Sequence, residues 1–323
     1  MNPDGDAVGS SLGLYQYFKN CKYEQVQVIL PNKHPEFLHW IPNNERLLTA
    51  NRKNSGAKKI INCADVIFCL DFNDLDRTDQ LASHVRKSSA KKILIDHHPD
   101  PKQEFDVIIS DVNASSTSEM IYNFIISNNH KQLIDLHIAE SLYAGIITDT
   151  GSFSYACNNP ETYRIIAHLL ELGVNGEQIH RLIYDTYSED RMRLLGYCLS
   201  DKLVVLPQHK TAYIYLSVSD LEKYNYKDGD TEGVVNYALS INGIELAVIF
   251  IEKKEVVKLS LRSKGEVNVN VLARNFFNGG GHQNAAGGNH KDTLENTLSF
   301  FNKILDDISA DCFKILQEMQ DNS

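Results

Sequence analysis

The sequence lacks long hydrophobic runs and paired cysteines. No apolar stretch approaches the roughly 20 residues needed to cross a bilayer, and the N-terminus, MNPDGDAVGS, has no basic flank before an apolar segment. The six cysteines are scattered without any Cys-x-x-Cys spacing, which argues against a disulfide framework or a structural zinc site. These absences predict a cytoplasmic protein with no membrane partner.

Positive charge is also scarce. The 323 residues include 32 Lys and Arg against 42 Asp and Glu, which gives a formal charge of −10. Proteins that grip long nucleic acid neutralise many phosphates with basic side chains, so this balance argues against a long nucleic-acid partner. A small positive pocket remains compatible with it. The length allows one or two domains.

The first half of the chain alternates apolar runs with stretches of helical periodicity. The mostly apolar runs cover residues 26–30, 66–70, 93–95 and 107–109. This alternation predicts an α/β fold with a doubly wound parallel sheet. Asp71, Asp96 and Asp111 each follow one of these runs, and open parallel sheets bind ligands at the edge where their strands end.

Helical signals precede a change of pattern near residue 203. In NNPETYRIIAHLLELG, Asn159 is the predicted cap, Pro160 the first helical residue and Gly173 the stop. A second amphipathic helix follows in SEDRMRLLGYCLSDKL. Two-residue alternation then predicts strands in TAYIYLSV, ELAVIFIE and VVKLSLRS. The predicted parts are a first domain over residues 1–186, a helical linker over 187–202 and a smaller α/β domain over 203–323.

Two of the acidic motifs have a structural alternative. NPDGDAVGS places Asp4 and Asp6 on either side of a glycine, a pattern that more often forms a turn and helix cap than a ligand pair. Asp71, in CLDFND, is equally compatible with an ordinary acid at a strand end.

Two other motifs favour a functional site. ILIDHHPDP ends a buried strand on Asp96, His97 and His98, which are costly to desolvate and can hold a metal. In GIITDTGSFSY, Asp149 ends an apolar helix, where the helix dipole disfavours an acid. The ordinary interpretation of Asp149 is a turn, but this unfavourable position suggests a function.

Several carboxylates at one sheet edge would repel one another unless cations lay between them. Aspartate with imidazole suits Mn²⁺ or Mg²⁺ rather than thiolate-bound zinc. Two such ions about 3.5–4 Å apart would lower the pKa of a water and neutralise the phosphoryl oxygens that it attacks. The clusters therefore predict phosphoester hydrolysis at a two-metal site.

A further motif, NGGGHQNAAGG, lies in the second domain. Its glycines let backbone N–H groups approach an anion closely, and His282 beside them can donate to a phosphate. A flexible turn is the equally plausible alternative. Upstream, Arg262 lies at the end of a predicted strand. Its planar guanidinium group matches the oxygens of a terminal phosphate, so we favour phosphate recognition over an ordinary surface position.

Taken in order, the motifs NPDGDAVGS, LDFND, IDHHP, TDTGSF and GGGHQNAAGG resemble those of the DHH/DHHA1 phosphoesterase family over nearly the whole chain. The length resembles that of the group acting on short oligoribonucleotides and on 3′-phosphoadenosine-5′-phosphate (pAp). The resemblance implies a DHH catalytic domain, then a DHHA1 domain that binds short RNA or nucleotide substrates. It also implies two Mn²⁺ ions per chain, with Mg²⁺ as the alternative ion, and is compatible with a homodimer.

The resemblance also implies individual roles. The implied metal ligands are Asp4 for one ion, Asp6, His97 and Asp149 for the other, and Asp71 between them. Asp96 would orient His97, and His98 would lie beside the reacting phosphate as a hydrogen-bond donor or acid. The implied phosphate clamp in the second domain is Arg262, Ser263, Gly280, Gly281 and His282.

Two departures from the family pattern keep alternatives open. The family's metal-binding histidine would fall one position ahead of Met1, so we expect an upstream strand ending in histidine. Ser154 replaces a residue that is basic in many relatives. One alternative is a phosphodiesterase for cyclic or linear dinucleotides. The other is a nucleotide-binding regulatory protein with impaired catalysis.

Overall fold

The structure is a computed structural model that describes residues 3–50, 55–155 and 157–307. The chain divides into two compact units, and the division falls between Thr186 and Tyr187. Cys312 and the last part of the domain predicted over residues 203–323 lie outside the described residues. Within the described ranges, no helix is long and apolar enough to cross a bilayer.

The first unit combines helices with short parallel strands. Its helices are α1 (Gly5–Asn20), α2 (Ser55–Cys63), α3 (Ala82–Lys87), α4 (Thr117–Ser127), α5 (Leu136–Asp149), α6 (Pro160–Glu171) and α7 (Gly176–Tyr184). Its strands are β1 (Val28–Leu30), β2 (Leu47–Thr49), β3 (Val66–Leu70), β4 (Lys91–Asp96) and β5 (Val107–Ser110). Strands β1 and β2 pair in parallel, and β3, β4 and β5 form a parallel sheet in that order. The predicted parallel α/β organisation is confirmed.

Close packing of α1 against α5 positions two acidic residues. A Cβ atom at Gly9 would lie 2.4 Å from the carbonyl oxygen of Ser141, so only glycine allows this approach. Leu142 of α5 is fully buried in the core of this unit. The packing brings Asp6, in the first turn of α1, to Asp149 at the end of α5.

The sequence also predicted the boundaries of α6. The Asn159 side chain accepts a hydrogen bond from the Glu161 backbone N–H at 3.0 Å, and Pro160 is the first helical residue. Gly173 follows the helix with a φ of 103°, a conformation that glycine adopts at little cost. The predicted cap and stop are confirmed.

The second unit is built on a mixed sheet. Its helices are α8 (Glu189–Ser200), α9 (Val218–Lys223), α10 (Val234–Leu239), α11 (Val269–Phe276) and α12 (Leu294–Asp307). Its strands are β6 (Leu203–Leu206), β7 (Thr211–Leu216), β8 (Leu246–Lys253), β9 (Val256–Ser263), β10 (Gly280–Gly281) and β11 (Ala285–His290). The strand order is β10-β11-β9-β8-β7-β6, with β7 and β8 parallel and the other neighbours antiparallel. The strands predicted from two-residue alternation are confirmed as β7, β8 and β9.

The helix predicted within a linker over residues 187–202 belongs to the second unit. It forms α8, and its Leu194 and Cys198 side chains are fully buried in a core cluster with residues of β7 and β8. Because these apolar groups need the sheet to cover them, this helix is part of the unit's core and not a separate connector.

Candidate metal centre and phosphate-binding strands

Three residues predicted as metal ligands converge in the first unit. Asp6, His97 and Asp149 each offer a ligand atom, and these atoms lie within 4.8 Å of one another. His97 directly follows β4, and its Nε2 atom is 3.4 Å from Asp149 Oδ2. Asp6 and His97 are buried, while the Asp149 side chain is 29% exposed. The group could therefore hold a cation that remains accessible from solvent.

Asp71 lies beside this group. It directly follows β3 with a φ of 63°, a left-handed conformation that aspartate tolerates better than most residues. Its Oδ1 atom is 3.7 Å from His97 Nε2 and 3.9 Å from His98 Nδ1. The same oxygen accepts a hydrogen bond from Thr117 Oγ1 at 3.2 Å. Asp71 is thus placed to contribute an oxygen to a cation held by this group.

The charges of this cluster fit a divalent cation. Burial raises the pKa of Asp71 well above its usual value, and four neighbouring aspartates raise it further. Burial also raises the pKa of Asp6, against the lowering effect of His97. A cation between the carboxylates would relieve this repulsion. Carboxylates with one imidazole form a donor set suited to Mn²⁺ or Mg²⁺.

Asp96 and His98 form a buried pair. Asp96 Oδ1 accepts a hydrogen bond from His98 Nδ1 at 2.7 Å, and Asp96 has no exposed surface. His97 Nδ1 instead lies 3.3 Å from the Ala114 carbonyl oxygen. The expectation that Asp96 orients His97 is therefore corrected, and the residue that it orients is His98. In extended backbone, residues two apart share a face whereas adjacent residues do not.

The same bond bears on a second group of ligand atoms. Asp71, Asp96 and His98 also offer atoms within 4.8 Å of one another. In that group, however, His98 Nδ1 donates to Asp96 Oδ1 at 2.7 Å, so this nitrogen has no lone pair for a cation. The group around His97 is therefore the better candidate for a cation.

Asp4 adopts the structural alternative that the sequence left open. Its carboxylate accepts a hydrogen bond from the Ala7 backbone N–H at 3.0 Å and so caps α1. In the part of the chain that the structure describes, Asp4 is not a member of a three-residue ligand group. Its charge nonetheless contributes to the raised pKa values of Asp6 and Asp71.

In the second unit, the predicted phosphate-binding residues lie on β9 and β10, which flank β11, and in the segment between β10 and β11. Arg262 of β9 pairs with Ala285 of β11. The Ser263 backbone N–H donates to the Asn284 carbonyl oxygen at 3.0 Å, and the His282 N–H donates to the Ala285 carbonyl oxygen at 2.7 Å. Arg262 and His282 are 20 residues apart in the sequence. The pairing of β9 with β11 brings their two motifs together at the C-terminal end of β9.

The glycines of this motif form strand structure. Gly280 and Gly281 make up β10, which pairs with β11. A Cβ atom at Gly281 would lie 2.4 Å from the Ala285 carbonyl oxygen, so the pairing requires glycine there. The Gly281 N–H donates to Asn270 Oδ1 at 2.9 Å. The alternative of a flexible turn is not supported for these two residues.

One segment that contacts the candidate metal centre was not identified from the sequence. The backbone N–H groups of Thr117 and Ser118, at the start of α4, donate to Asp6 Oδ2 at 2.6 Å and Asp6 Oδ1 at 2.9 Å. A signal was available, because Ser116 followed three residues later by Glu119 is typical of a helix N-terminus. Such termini bind anions.

Both units are similar to known domains. Residues 1–146 match the DHH family, N-terminal domain, and residues 210–310 match the DHHA1 domain. The chain is 30% identical to the bifunctional oligoribonuclease and PAP phosphatase NrnA of Thermus thermophilus, over 89% of this chain and 81% of the relative. The chain belongs to the DHH family. The NrnA protein of Bacillus subtilis is 29% identical over 89% of this chain and 86% of that protein.

Solved structures of DHH proteins share the fold. An exopolyphosphatase-related protein from Bacteroides fragilis has a TM-score of 0.91 and 42% identity, covering 98% of this chain and 91% of that chain. RecJ from Thermus thermophilus, in complex with Mn²⁺, has a TM-score of 0.52 and 12% identity, covering 94% and 50%. The predicted DHH and DHHA1 domains are confirmed, and this DHH protein is a hydrolase of phosphoester bonds.

Proposed function

We propose that this DHH protein hydrolyses short oligoribonucleotides and pAp to mononucleotides, using two Mn²⁺ ions per chain or Mg²⁺ as the alternative. The observation that carries the proposal is the convergence of Asp6, His97 and Asp149 within 4.8 Å, with Asp71 beside them. Relatives named oligoribonuclease and PAP phosphatase support the substrate class. A cytoplasmic location and a homodimer stay predictions.

The metal ligands of the proposal follow the geometry of the first unit. Asp6, His97 and Asp149 would hold one ion, and Asp71 would be shared with the second. Asp4 would join the second ion through Oδ2, because its capping bond to Ala7 uses Oδ1. When bound, such ions neutralise phosphoryl oxygens and lower the pKa of an attacking water.

His98 is the proposed catalytic side chain. Its Nδ1 atom is held by Asp96 Oδ1, so the imidazole has a fixed orientation beside Asp71. The Asp96 carboxylate accepts from Nδ1 and so determines which ring nitrogen carries the proton. His98 would therefore donate a hydrogen bond or a proton to the reacting phosphate.

The second unit would recognise the substrate's terminal phosphate. The guanidinium group of Arg262 offers paired donors that match phosphate oxygens, and His282 offers a further donor. Ser263, Gly280 and Gly281 would complete the clamp. With a net charge of −10, the chain is poorly suited to hold a long strand by phosphate contacts alone.

A substrate panel tests this function. Purified protein would be assayed with pAp, RNA of about two to five nucleotides, a long single strand, and linear and cyclic dinucleotides. Each assay would contain Mn²⁺, Mg²⁺ or a chelator. We expect the fastest hydrolysis on short RNA and pAp, and none with the chelator.

Each other result would favour a different function. Equal rates on long and short strands would indicate a processive exonuclease, and a preference for cyclic or linear dinucleotides would indicate a dinucleotide phosphodiesterase. Tight nucleotide binding without hydrolysis under any metal condition would indicate a regulatory protein.

A further inference from the structure

We propose that Thr117 is a positioning residue that fixes the Asp71 carboxylate for metal binding, and that the first turn of α4 is the frame aligning Asp6 with Asp71. The inference rests on the metal centre of the proposed function and does not depend on which phosphoester is the substrate. Thr117 has no exposed surface.

The backbone of this turn holds Asp6. The N–H groups of Thr117 and Ser118 donate to different oxygens of the Asp6 carboxylate, at 2.6 Å and 2.9 Å. Amide groups at a helix N-terminus favour negative charge, so this contact suits a carboxylate at this position. Two simultaneous bonds also restrict rotation of the carboxylate.

The Thr117 side chain holds the second aspartate. Its Oγ1 atom donates to Asp71 Oδ1 at 3.2 Å, and this same oxygen lies 3.7 Å from His97 Nε2. Threonine is branched at Cβ, which limits its rotamers and makes it a stiff support. One residue therefore contacts both aspartates: its backbone contacts Asp6, 111 positions away, and its side chain contacts Asp71, 46 positions away.

The buried carboxylate of Glu119 anchors the turn. Glu119 is 2% exposed, and its Oε2 atom accepts hydrogen bonds from Ser115 Oγ at 2.5 Å and from Thr162 Oγ1 of α6 at 2.7 Å. Ser116 caps the helix by accepting from the Glu119 N–H at 3.1 Å. These bonds link the turn to α6 and restrict its movement relative to the metal ligands.

Thr117→Val tests the role of the hydroxyl group because it keeps the size and the branched Cβ. After chelator treatment, Mn²⁺ binding would be measured by calorimetry without substrate. We expect Thr117→Val to weaken Mn²⁺ affinity about 10- to 100-fold, the usual cost of losing a partner of a metal ligand. Thr117→Ser, which keeps the hydroxyl, should restore the affinity. Turnover of Thr117→Val should recover as Mn²⁺ is raised, with KM for the best substrate of the wild type unchanged at saturating metal.

Thr78→Val is the matched control. Thr78 is also buried in the first unit, but its hydroxyl donates to the Leu75 carbonyl oxygen at 2.6 Å. We expect its Mn²⁺ affinity to equal that of the wild type. Thr117→Ala provides a second hydroxyl-free variant if the valine variant does not fold.

Two results would overturn the inference alone: a hydroxyl-free Thr117 variant that binds Mn²⁺ as tightly as the wild type, or an equal loss of affinity in Thr78→Val. A wild-type protein that binds no divalent cation would instead overturn the proposed function, together with this inference. The binding measurement therefore separates the two failures.

Discussion

Asp96 Oδ1 and His98 Nδ1 lie 2.7 Å apart, and both side chains are buried. This pair predicts that His98 is needed for turnover but not for metal binding. His98→Ala should lower kcat about 10²- to 10⁴-fold, the usual contribution of a general acid or base. Asp96→Asn keeps an oxygen facing the ring but loses its charge, so it should cause a smaller fall.

Steady-state kinetics and metal analysis of the purified variants would check this prediction. His209→Ala is the control, because His209 is not one of the predicted site residues and its Nε2 pairs with Asp306 Oδ1 at 3.2 Å in the second unit. Loss of bound metal in His98→Ala would show that His98 is a ligand, contrary to the proposed role.

Asp71→Asn should affect metal binding and stability in opposite directions. Asparagine tolerates the left-handed φ of 63° at this position, so the backbone should remain in place. Removing the charge should abolish Mn²⁺-dependent hydrolysis, because both ions would share this carboxylate. In chelator, the variant should melt at a higher temperature than the wild type, because burial and the surrounding aspartates disfavour the ionised carboxylate.

Calorimetric Mn²⁺ titration and thermal melting would be compared with Asp111→Asn. Asp111 also follows a strand of the parallel sheet but is exposed, and it accepts from the Asn113 N–H at 2.9 Å. The control should bind Mn²⁺ normally. Substantial turnover in Asp71→Asn would contradict the shared-ligand assignment.

Arg262→Ala and His282→Ala should separate recognition from metal binding. We expect both variants to keep the wild-type metal content but to lose roughly 1.5–3 kcal/mol of phosphate binding each, because charge-assisted hydrogen bonds are lost. The weaker binding raises KM alone if the contact is equally strong in the ground and transition states. It also lowers kcat if the contact aligns the phosphate.

Arg193→Ala is the control for removal of an arginine. Arg193 lies on the same unit with a side chain 68% exposed and pairs with Glu189 on the surface of α8. Its kinetics on pAp should match the wild type. Loss of metal in Arg262→Ala or His282→Ala, or unchanged kinetics in both variants, would contradict the proposed phosphate-binding role of these residues.

Asp220 predicts an acid-sensitive step in unfolding. Burial raises its pKa, but hydrogen bonds from Lys202, Ser217 and Tyr197 outweigh this effect and lower the pKa to about 2, from 3.8. A carboxyl group whose pKa is lowered by folding stabilises the folded state at pH values above the pKa that it has in the unfolded chain. About 2 kcal/mol of stability should therefore be present above pH 4 and be lost as the pH falls towards 2.

Urea unfolding between pH 2 and 7 would measure this contribution. Asp220→Asn should be less stable than the wild type at pH 7, and the difference should shrink towards pH 2. Asp228→Asn is the control, because Asp228 is 81% exposed and lies 3.7 Å from Lys253. A constant difference between wild type and Asp220→Asn across this pH range would contradict the prediction.

Local sequence signals were sufficient for much of the fold. Two-residue alternation defined β7, β8 and β9, and Asn159, Pro160 and Gly173 marked the ends of α6. Because parallel strands end at one edge, the acids and histidines that follow β3 and β4 were expected to meet there. These properties depend on neighbours close in the chain, which is why the sequence alone indicated them.

The partners of individual site residues depended on tertiary packing. The pairing of Asp96 with His98 depends on how the chain leaves β4, and the capping role of Asp4 was one of two alternatives allowed by its motif. Thr117 contacts Asp6 across 111 positions and Asp71 across 46. No local pattern encodes such contacts, because the packed helices and strands determine which polar groups come within hydrogen-bonding distance.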